Sequence, residues 1–219
     1  MRLFLRLSVL FFSLSALSCP AQVVWENQAW TSLEVERKIN KAVTASLGYQ
    51  VRWSLDAAMA ATWFPEFSLK NRWSKNINTV FHFRYLTRNE GLGQRTNSSR
   101  IMIDGIYGGE LKKTKLSFRL RVGREDEPDL NEGLFSLQEI VVRQRVKVER
   151  ELLGQDFSLS AEQFETIRAG EVIFDQRRFV LESDIKLSRL HYLNLFIMYQ
   201  DLIDTRRVNI GTGYRYKWK

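Results

Sequence analysis

Cysteine is nearly missing from this 219-residue chain, which holds one, Cys19, beside three prolines and two histidines. One thiol excludes an internal disulfide framework and a cysteine-based metal centre. His82 and His191 lie too far apart in sequence to form a ligand pair by spacing. No apolar run reaches the roughly 20 residues that a helical membrane span requires, and no helical period of comparable strength follows residue 21. Gly91-Leu92-Gly93 and Gly108-Gly109 fall in a predicted loop and a strand, so neither is a phosphate-cradling turn before a helix. The formal charge of +8 is spread along many segments, without the single basic patch or helix of a nucleic-acid binder. No cofactor, metal or nucleic-acid partner is expected.

What is present begins with a sorting signal. Met1, Arg2 and Arg6 precede the apolar run from Leu7 to Leu17, and Ser18, Cys19, Pro20 and Ala21 follow it. A basic start, a short apolar stretch and small residues near the cut make a secretory signal. Cleavage is placed after Ala21, which divides the chain into a signal peptide over 1–21 and one domain over 22–219. Lipoprotein processing at Cys19 is the rival, but Ala16 stands where a leucine is usual and Pro20 follows the cysteine. Cleavage removes the cysteine together with Arg2 and Arg6, lowering the formal charge from +8 to +6.

The rest of the chain alternates with period two, as strands with two unlike faces do. Val43, Ala45, Leu47, Tyr49, Val51 and Trp53 share one face; Thr44, Ser46, Gly48, Gln50, Arg52 and Ser54 share the other. Val208, Ile210, Thr212, Tyr214, Tyr216 and Trp218 repeat the pattern against Asn209, Gly211, Gly213, Arg215 and Lys217. Similar segments run through 77–86, 116–123, 140–149 and 179–188. A water-soluble sandwich also alternates, but its strands commonly stop at about five or six residues. Segments of nine to twelve residues match the roughly 9–11 that cross a bilayer at barrel tilt. The fold class predicted is therefore all-β, a closed antiparallel transmembrane barrel of about twelve strands, with ten as the alternative. Odd counts are disfavoured for a single-chain bacterial barrel. Eleven segments are legible from Trp30 onward, and a short extra strand over Val23 to Gln28 makes twelve.

Sidedness assigns the residues. Trp53, Trp63, Tyr85, Tyr107, Tyr199, Tyr214, Tyr216 and Trp218 lie near strand ends on apolar faces and are predicted interfacial aromatics. Arg52, Glu66, Arg84, Asp104, Glu110, Arg119, Arg121, Arg143, Arg145, Lys147, Glu149, Glu162, Glu182, Asp184, Lys186 and Arg215 are predicted to project into the lumen and pair there. Short turns are expected at Lys75-Asn76, Lys112 to Lys115, Leu153 to Asp156 and Arg189 to His191. Longer loops are expected over Asn89 to Ser99, Arg124 to Gly133 and Ile167 to Gln176. The closing segment, with Asn209, Gly211, Tyr214, Tyr216 and Trp218, has the form of an outer-membrane assembly signal, although Lys219 follows the aromatic. Expected partners are thus outer-membrane lipid and the barrel-assembly machinery, and the expected location is the cell outer membrane of a Gram-negative bacterium.

The order of segments also resembles a known family. Trp30 with Glu34-Val-Glu-Arg-Lys-Ile39 is followed by Leu47-Gly-Tyr-Gln-Val-Arg-Trp53 and Phe81-His-Phe-Arg-Tyr85. Arg143-Gln-Arg-Val-Lys-Val-Glu-Arg150, Leu159-Ser-Ala-Glu-Gln-Phe164 and Gln176-Arg-Arg-Phe179 come later. This is similar to the Bacteroidetes-type exported barrel family catalogued as domain of unknown function 2490. The resemblance implies a small outer-membrane barrel over nearly the whole exported chain and supplies no catalytic residues.

Chemistry is sparse. An outer-membrane lipase or acyltransferase needs a serine–histidine pair with an orienting group; His82 lies on a polar face beside Arg84, with no nameable partner. Glu125-Asp126-Glu127-Pro128-Asp129 lacks the ligand spacing of a calcium loop and reads as a solvated acidic loop. Three functions stay in play: a non-enzymatic barrel with a lumen filled by paired charges, a narrow anion-favouring channel, and a lipid-modifying enzyme using His82.

Overall fold

The computed structural model describes residues 24–56, 59–91, 94–126, 140–152, 154–168, 171–203 and 205–218. The segment predicted as a signal peptide, its predicted cleavage site and the part of the predicted acidic loop from Glu127 onward lie outside the described residues. Within them the chain forms eleven strands: β1 (Val24–Lys38), β2 (Val43–Ser54), β3 (Met59–Arg72), β4 (Ile77–Gly91), β5 (Gln94–Leu111), β6 (Thr114–Asp126), β7 (Ile140–Leu152), β8 (Gln155–Arg168), β9 (Glu171–Lys186), β10 (His191–Leu202) and β11 (Thr205–Trp218). Each pairs antiparallel with the next, and β1 closes on β11.

The count corrects the expectation of twelve or ten. Val24 to Gln28 is not a separate strand but the beginning of β1, which continues without a turn to Lys38. No Gly, Pro or Asn-Gly breaks the chain between Gln28 and Leu33, so nothing there supplies a turn. Directions alternate from β1 to β11, so the first and last strands point the same way. The ring therefore closes on a parallel pair, in register from Val24↔Thr205 to Arg37↔Trp218. Two of the three expected long loops are also corrected. Most of 89–99 and 167–176 is strand, the ends of β4 and β5 and of β8 and β9, paired out to Gly91↔Gln94 and Arg168↔Glu171. The first stretch reads as a loop because it is almost wholly polar, and the second because its apolar residues Val172, Ile173 and Phe174 run consecutively without period-two alternation, while the backbone ladder needs only its own N–H and C=O groups.

Short turns at one rim share a local design. Ile39, Trp73 and Leu187 each donate their N–H to the carbonyl four residues on, at 3.0 Å in all three. The next residue then caps the turn through its side chain: Asn40 Oδ1 accepts from Ala42 and Val43, Ser74 Oγ from Asn76 and Ile77, and Ser188 Oγ from Leu190. Asn and Ser favour such turns because their short oxygens reach a nearby backbone N–H. The opposite rim, where β2 and β3, β4 and β5, β6 and β7, β8 and β9, and β10 and β11 have their adjoining ends, is called the loop rim below.

Closure requires close approach at the seam. Gly211 of β11 pairs with Phe196 of β10, whose ring meets Trp30 of β1 edge-on at 5.9 Å and 75°. A Cβ at Gly211 would lie 2.2 Å from Phe196 Cζ. Gly211→Ala is expected to destabilise the barrel by about 1–3 kcal/mol through overpacking, and Phe196→Leu in the same chain to recover most of it. Urea midpoints of the two variants in detergent check this.

Side chains segregate strictly. Outward positions over the middle of all eleven strands carry no Asp, Glu, Lys or Arg: 29–35, 43–53, 63–69, 77–85, 101–107, 116–122, 142–148, 157–161, 179–185, 193–199 and 208–216, taking every second residue. Large apolar side chains there are open to the surroundings, among them Leu47, Phe67, Phe83, Ile103, Leu120, Leu159, Leu181, Ile197 and Ile210. The inward face holds the charged residues of this zone together with buried apolar side chains such as Val80, Leu86, Met102 and Met198.

Candidate functional site in the barrel interior

Inward positions of β3, β4, β5 and β6 bring four charged residues around one histidine. His82 of β4 faces Glu66 Oε1 through Nδ1 at 3.2 Å and Asp104 Oδ2 through Nε2 at 3.3 Å. Arg84, two residues on, donates from Nε to Glu66 Oε2 at 2.7 Å. Arg121 of β6 grips Asp104 with Nε on Oδ1 at 2.5 Å and Nη2 on Oδ2 at 2.8 Å. The cluster continues around the wall: Arg119 lies 3.7 Å from Asp104 and pairs with Glu162 of β8. Farther along, Lys147 pairs with Glu182, Arg215 with Asp184 at 3.2 Å, and Arg207 with Glu26 at 2.6 Å. Charged hydrogen bonds of this kind offset the loss of hydration that buried ions suffer.

A second layer lies toward the loop rim and is built from arginines and rings. The Arg52 guanidinium sits 4.0 Å from the Trp30 ring centre and 5.0 Å from that of Phe64; Arg84 covers Phe64 from 4.1 Å. Phe164 lies between Arg143 at 4.6 Å and Arg178 at 4.1 Å. Ring faces attract cations, so each phenylalanine spaces two guanidinium groups that would otherwise repel.

Of the charges expected in the lumen, Arg84, Asp104, Arg121, Arg143 and Glu162 are buried. Arg52, Glu66, Arg119, Arg145, Lys147, Glu149, Glu182, Asp184 and Arg215 are half-buried, whereas Glu110 and Lys186 are exposed. Both exposed residues sit within two residues of a strand end near the short turns, where water reaches the inward face. Arg100, Arg178, Arg207 and Glu26 join the interior although the sequence pattern does not single them out. Arg100 and Arg178 share the strand parity of Asp104 and Glu182, and that parity is the signal that could have found them. Trp30, Phe64 and Phe164 are buried aromatics on the polar parity. The outward aromatics divide between the rims by strand position: Trp53, Trp63, Tyr85 and Tyr199 toward the loop rim, Tyr107, Tyr214, Tyr216 and Trp218 toward the turns. His191 stands at the start of β10 against the Tyr214 hydroxyl. Among the described residues, no group of three or more His, Cys, Asp or Glu is placed to hold a metal ion.

Residues 27–209, from early β1 into β11, match the family described as "Protein of unknown function (DUF2490)". The chain belongs to that family. The match reaches all eleven strands and includes Glu66, His82, Asp104, Arg121 and Glu162 of the DUF2490 interior network, while Glu26 and Arg215 lie just outside it. No curated protein matches this DUF2490 chain. Among solved structures it is similar to the beta domain of the Bordetella autotransporter Brka, at 15% identity over 80% of this chain and 82% of that one, with a TM-score of 0.40.

Proposed function

We propose that this DUF2490 protein is an exported, non-enzymatic outer-membrane barrel whose lumen is filled by paired side chains and which acts through its loop rim or as a structural component of the membrane. One observation carries this: an uncharged, largely apolar outward belt passes around all eleven strands without a gap. In water that surface far exceeds the few hundred Å² of apolar patch usual on a soluble monomer. Facing acyl chains it costs nothing, and the closed ring leaves no strand edge whose backbone groups need water. The two sets of outward aromatics fit the two membrane interfaces. Outer-membrane lipid and, during insertion, the barrel-assembly machinery are the partners this reading requires.

The interior supports the non-enzymatic part. Both ring nitrogens of His82 face carboxylates, so neither is positioned to take a proton from a serine, as nucleophilic catalysis demands. Phospholipid and lipid A profiles are expected to be the same with the protein overexpressed, absent, or carrying His82→Ala. A profile that changes with the wild-type protein and not with His82→Ala would reinstate the lipid-modifying reading.

A narrow anion-favouring channel is the second reading, favoured by the arginine-rich layer of Arg52, Arg143 and Arg178. Planar-bilayer recording separates the two. The filled lumen predicts no conductance steps above the bare bilayer, and discrete anion-selective steps would replace it with the channel.

A further inference from the structure

The rim of short turns, opposite the loop rim, repeats one chemical unit. Ile39, Trp73 and Leu187 occupy the same place in three turns, the residue whose N–H reaches the carbonyl four positions on. Each is followed two residues later by a cation: Lys41, Lys75 and Arg189. The β5–β6 turn shortens the unit to Leu111 followed by Lys112 and Lys113. Lys112 keeps its charge there at a φ of 58°, a left-handed backbone that glycine adopts at less cost. All four apolar side chains are exposed, and so are all five cations. Turns ordinarily take Gly, Pro, Asn, Asp and Ser. One exposed leucine is ordinary; a large apolar residue at the same position of turn after turn is not.

These turns form one continuous arc. Around the ring, the β9–β10 turn is followed by β11 and then by the β1–β2, β3–β4 and β5–β6 turns. Where β11 intervenes, Trp218 at its end takes up the pattern, with the Arg37 guanidinium of β1 4.7 Å from its ring centre. The β7–β8 connection carries no cation, and Glu149, Glu151 and Asp156 lie beside it with Arg150. The four turns of the arc contain no Asp or Glu. Among the described residues, none of their five cations is engaged by a carboxylate. The arc also faces outward. Trp73 Nε1 donates to Thr79 Oγ1 at 2.9 Å, on the outward parity of β4, so the indole lies on the outer wall at the edge of the belt. Arg37 and Trp218, partners in register, share that outward parity on β1 and β11.

We propose that this arc binds the anionic headgroups of phospholipids in the leaflet at the turn rim, each turn seating its apolar side chain at the acyl boundary and its cation on a headgroup. The proposal rests on the membrane reading above and adds a headgroup preference to it. An anionic leaflet offers these two chemistries side by side, and its surface potential attracts Lys and Arg placed just outside the hydrocarbon. Their apolar stems can lie along the wall while the charge reaches the headgroup. A soluble acidic partner would have to follow a collar wound around the perimeter, whereas lipid surrounds a barrel on all sides.

Lipid selectivity by electron spin resonance tests this. The full chain is reconstituted in phosphatidylcholine vesicles with a trace of spin-labelled phosphatidylglycerol or of spin-labelled phosphatidylcholine, and the motionally restricted fraction measures lipid held at the wall. At low salt the wild type is expected to prefer the anionic label by at least about twofold, inside the roughly fivefold that one Lys or Arg at an anionic surface supplies. In about 1 M salt, where the screening length is roughly 3 Å, the preference is expected to fall to near parity. The combined variant Lys41→Gln, Lys75→Gln, Lys112→Gln, Lys113→Gln and Arg189→Gln is expected to lose most of it, and Arg95→Gln, outward near the loop rim, to keep it. A heat-modifiable band on a gel identifies folded protein. Where the five-site variant does not fold, the Lys112→Gln, Lys113→Gln pair decides, with a partial loss expected and no loss contradicting the proposal. Equal hold on both labels by the wild type overturns it and leaves the arc to a soluble acidic partner. Full preference in the folded five-site variant also overturns it and places anionic lipid elsewhere on the wall. No restricted component with either label means that the chain has not entered the bilayer, which defeats the membrane reading itself and this proposal with it.

Discussion

Phe83→Arg is expected to lower the stability of the barrel in a lipid bilayer by about 2–4 kcal/mol, the cost of an arginine on a lipid-facing strand near the midplane. Phe83 lies midway along β4, between Phe67 of β3 and Ile101 of β5, and all three are exposed. Nothing in the protein is close enough to neutralise the new charge, and the belt offers no neighbouring carboxylate. Leu120→Arg on β6 is expected to behave the same way, whereas Arg95, already outward near the loop rim, marks where charge becomes tolerable. Urea unfolding of protein inserted in vesicles measures the difference. An effect below about 0.5 kcal/mol, the range of an ordinary surface substitution, would mean that the belt faces water.

Removing one interior carboxylate should cost more. Glu66→Ala leaves Arg84, 8% exposed, without its partner and frees one nitrogen of His82. Breaking a buried ion pair from one side typically costs about 3–5 kcal/mol, because the remaining charge stays buried. Glu66→Ala with Arg84→Met removes both charges and keeps apolar bulk over Phe64, so the double variant is expected to recover most of the loss. The coupling in that double-mutant cycle is the informative quantity. Near-additive losses would show that the pair is screened by interior water and contributes little.

Much of this molecule is legible from alternation alone. Because lipid-like and lumen-like surroundings differ so sharply, the parity of Leu47, Tyr49 and Val51 against Gly48, Gln50 and Arg52 is enough to assign the two sides of β2. Charged pairing partners are less legible. Glu66 and Arg84 stand opposite in register, but Arg119 reaches Glu162 across β7 from β6 to β8, a link that depends on side-chain length and barrel curvature.

Strand number is hidden for a different reason. β1 carries Glu34, Glu36 and Lys38 at one end and Glu26 and Gln28 at the other, so its two halves look like separate polar-flanked segments. Only the parallel register with β11 joins them. The extended ends of β4 and β5 escape notice because beyond the belt they are almost wholly polar, and those of β8 and β9 because Val172, Ile173 and Phe174 stand in a row and the period-two contrast vanishes. Trp30, Phe64 and Phe164 sit on the polar parity, where an aromatic looks like a lapse in the pattern. Their role is visible only once Arg52, Arg84, Arg143 and Arg178 are placed against their rings.

The measurement that bears most directly on sidedness is spin-label accessibility along β4. In a Cys19→Ser background an introduced thiol is the only one in the chain. Labels at Phe81→Cys and Tyr85→Cys, outward, are expected to collide readily with lipid-soluble oxygen and rarely with a water-soluble nickel chelate when the protein is in vesicles. Labels at the adjacent inward positions, Val80→Cys and Leu86→Cys, are expected to be shielded from oxygen. Equal accessibility of 81 and 85 to the nickel chelate and to oxygen, or protein that stays dissolved without entering vesicles at all, would contradict an apolar face turned to acyl chains.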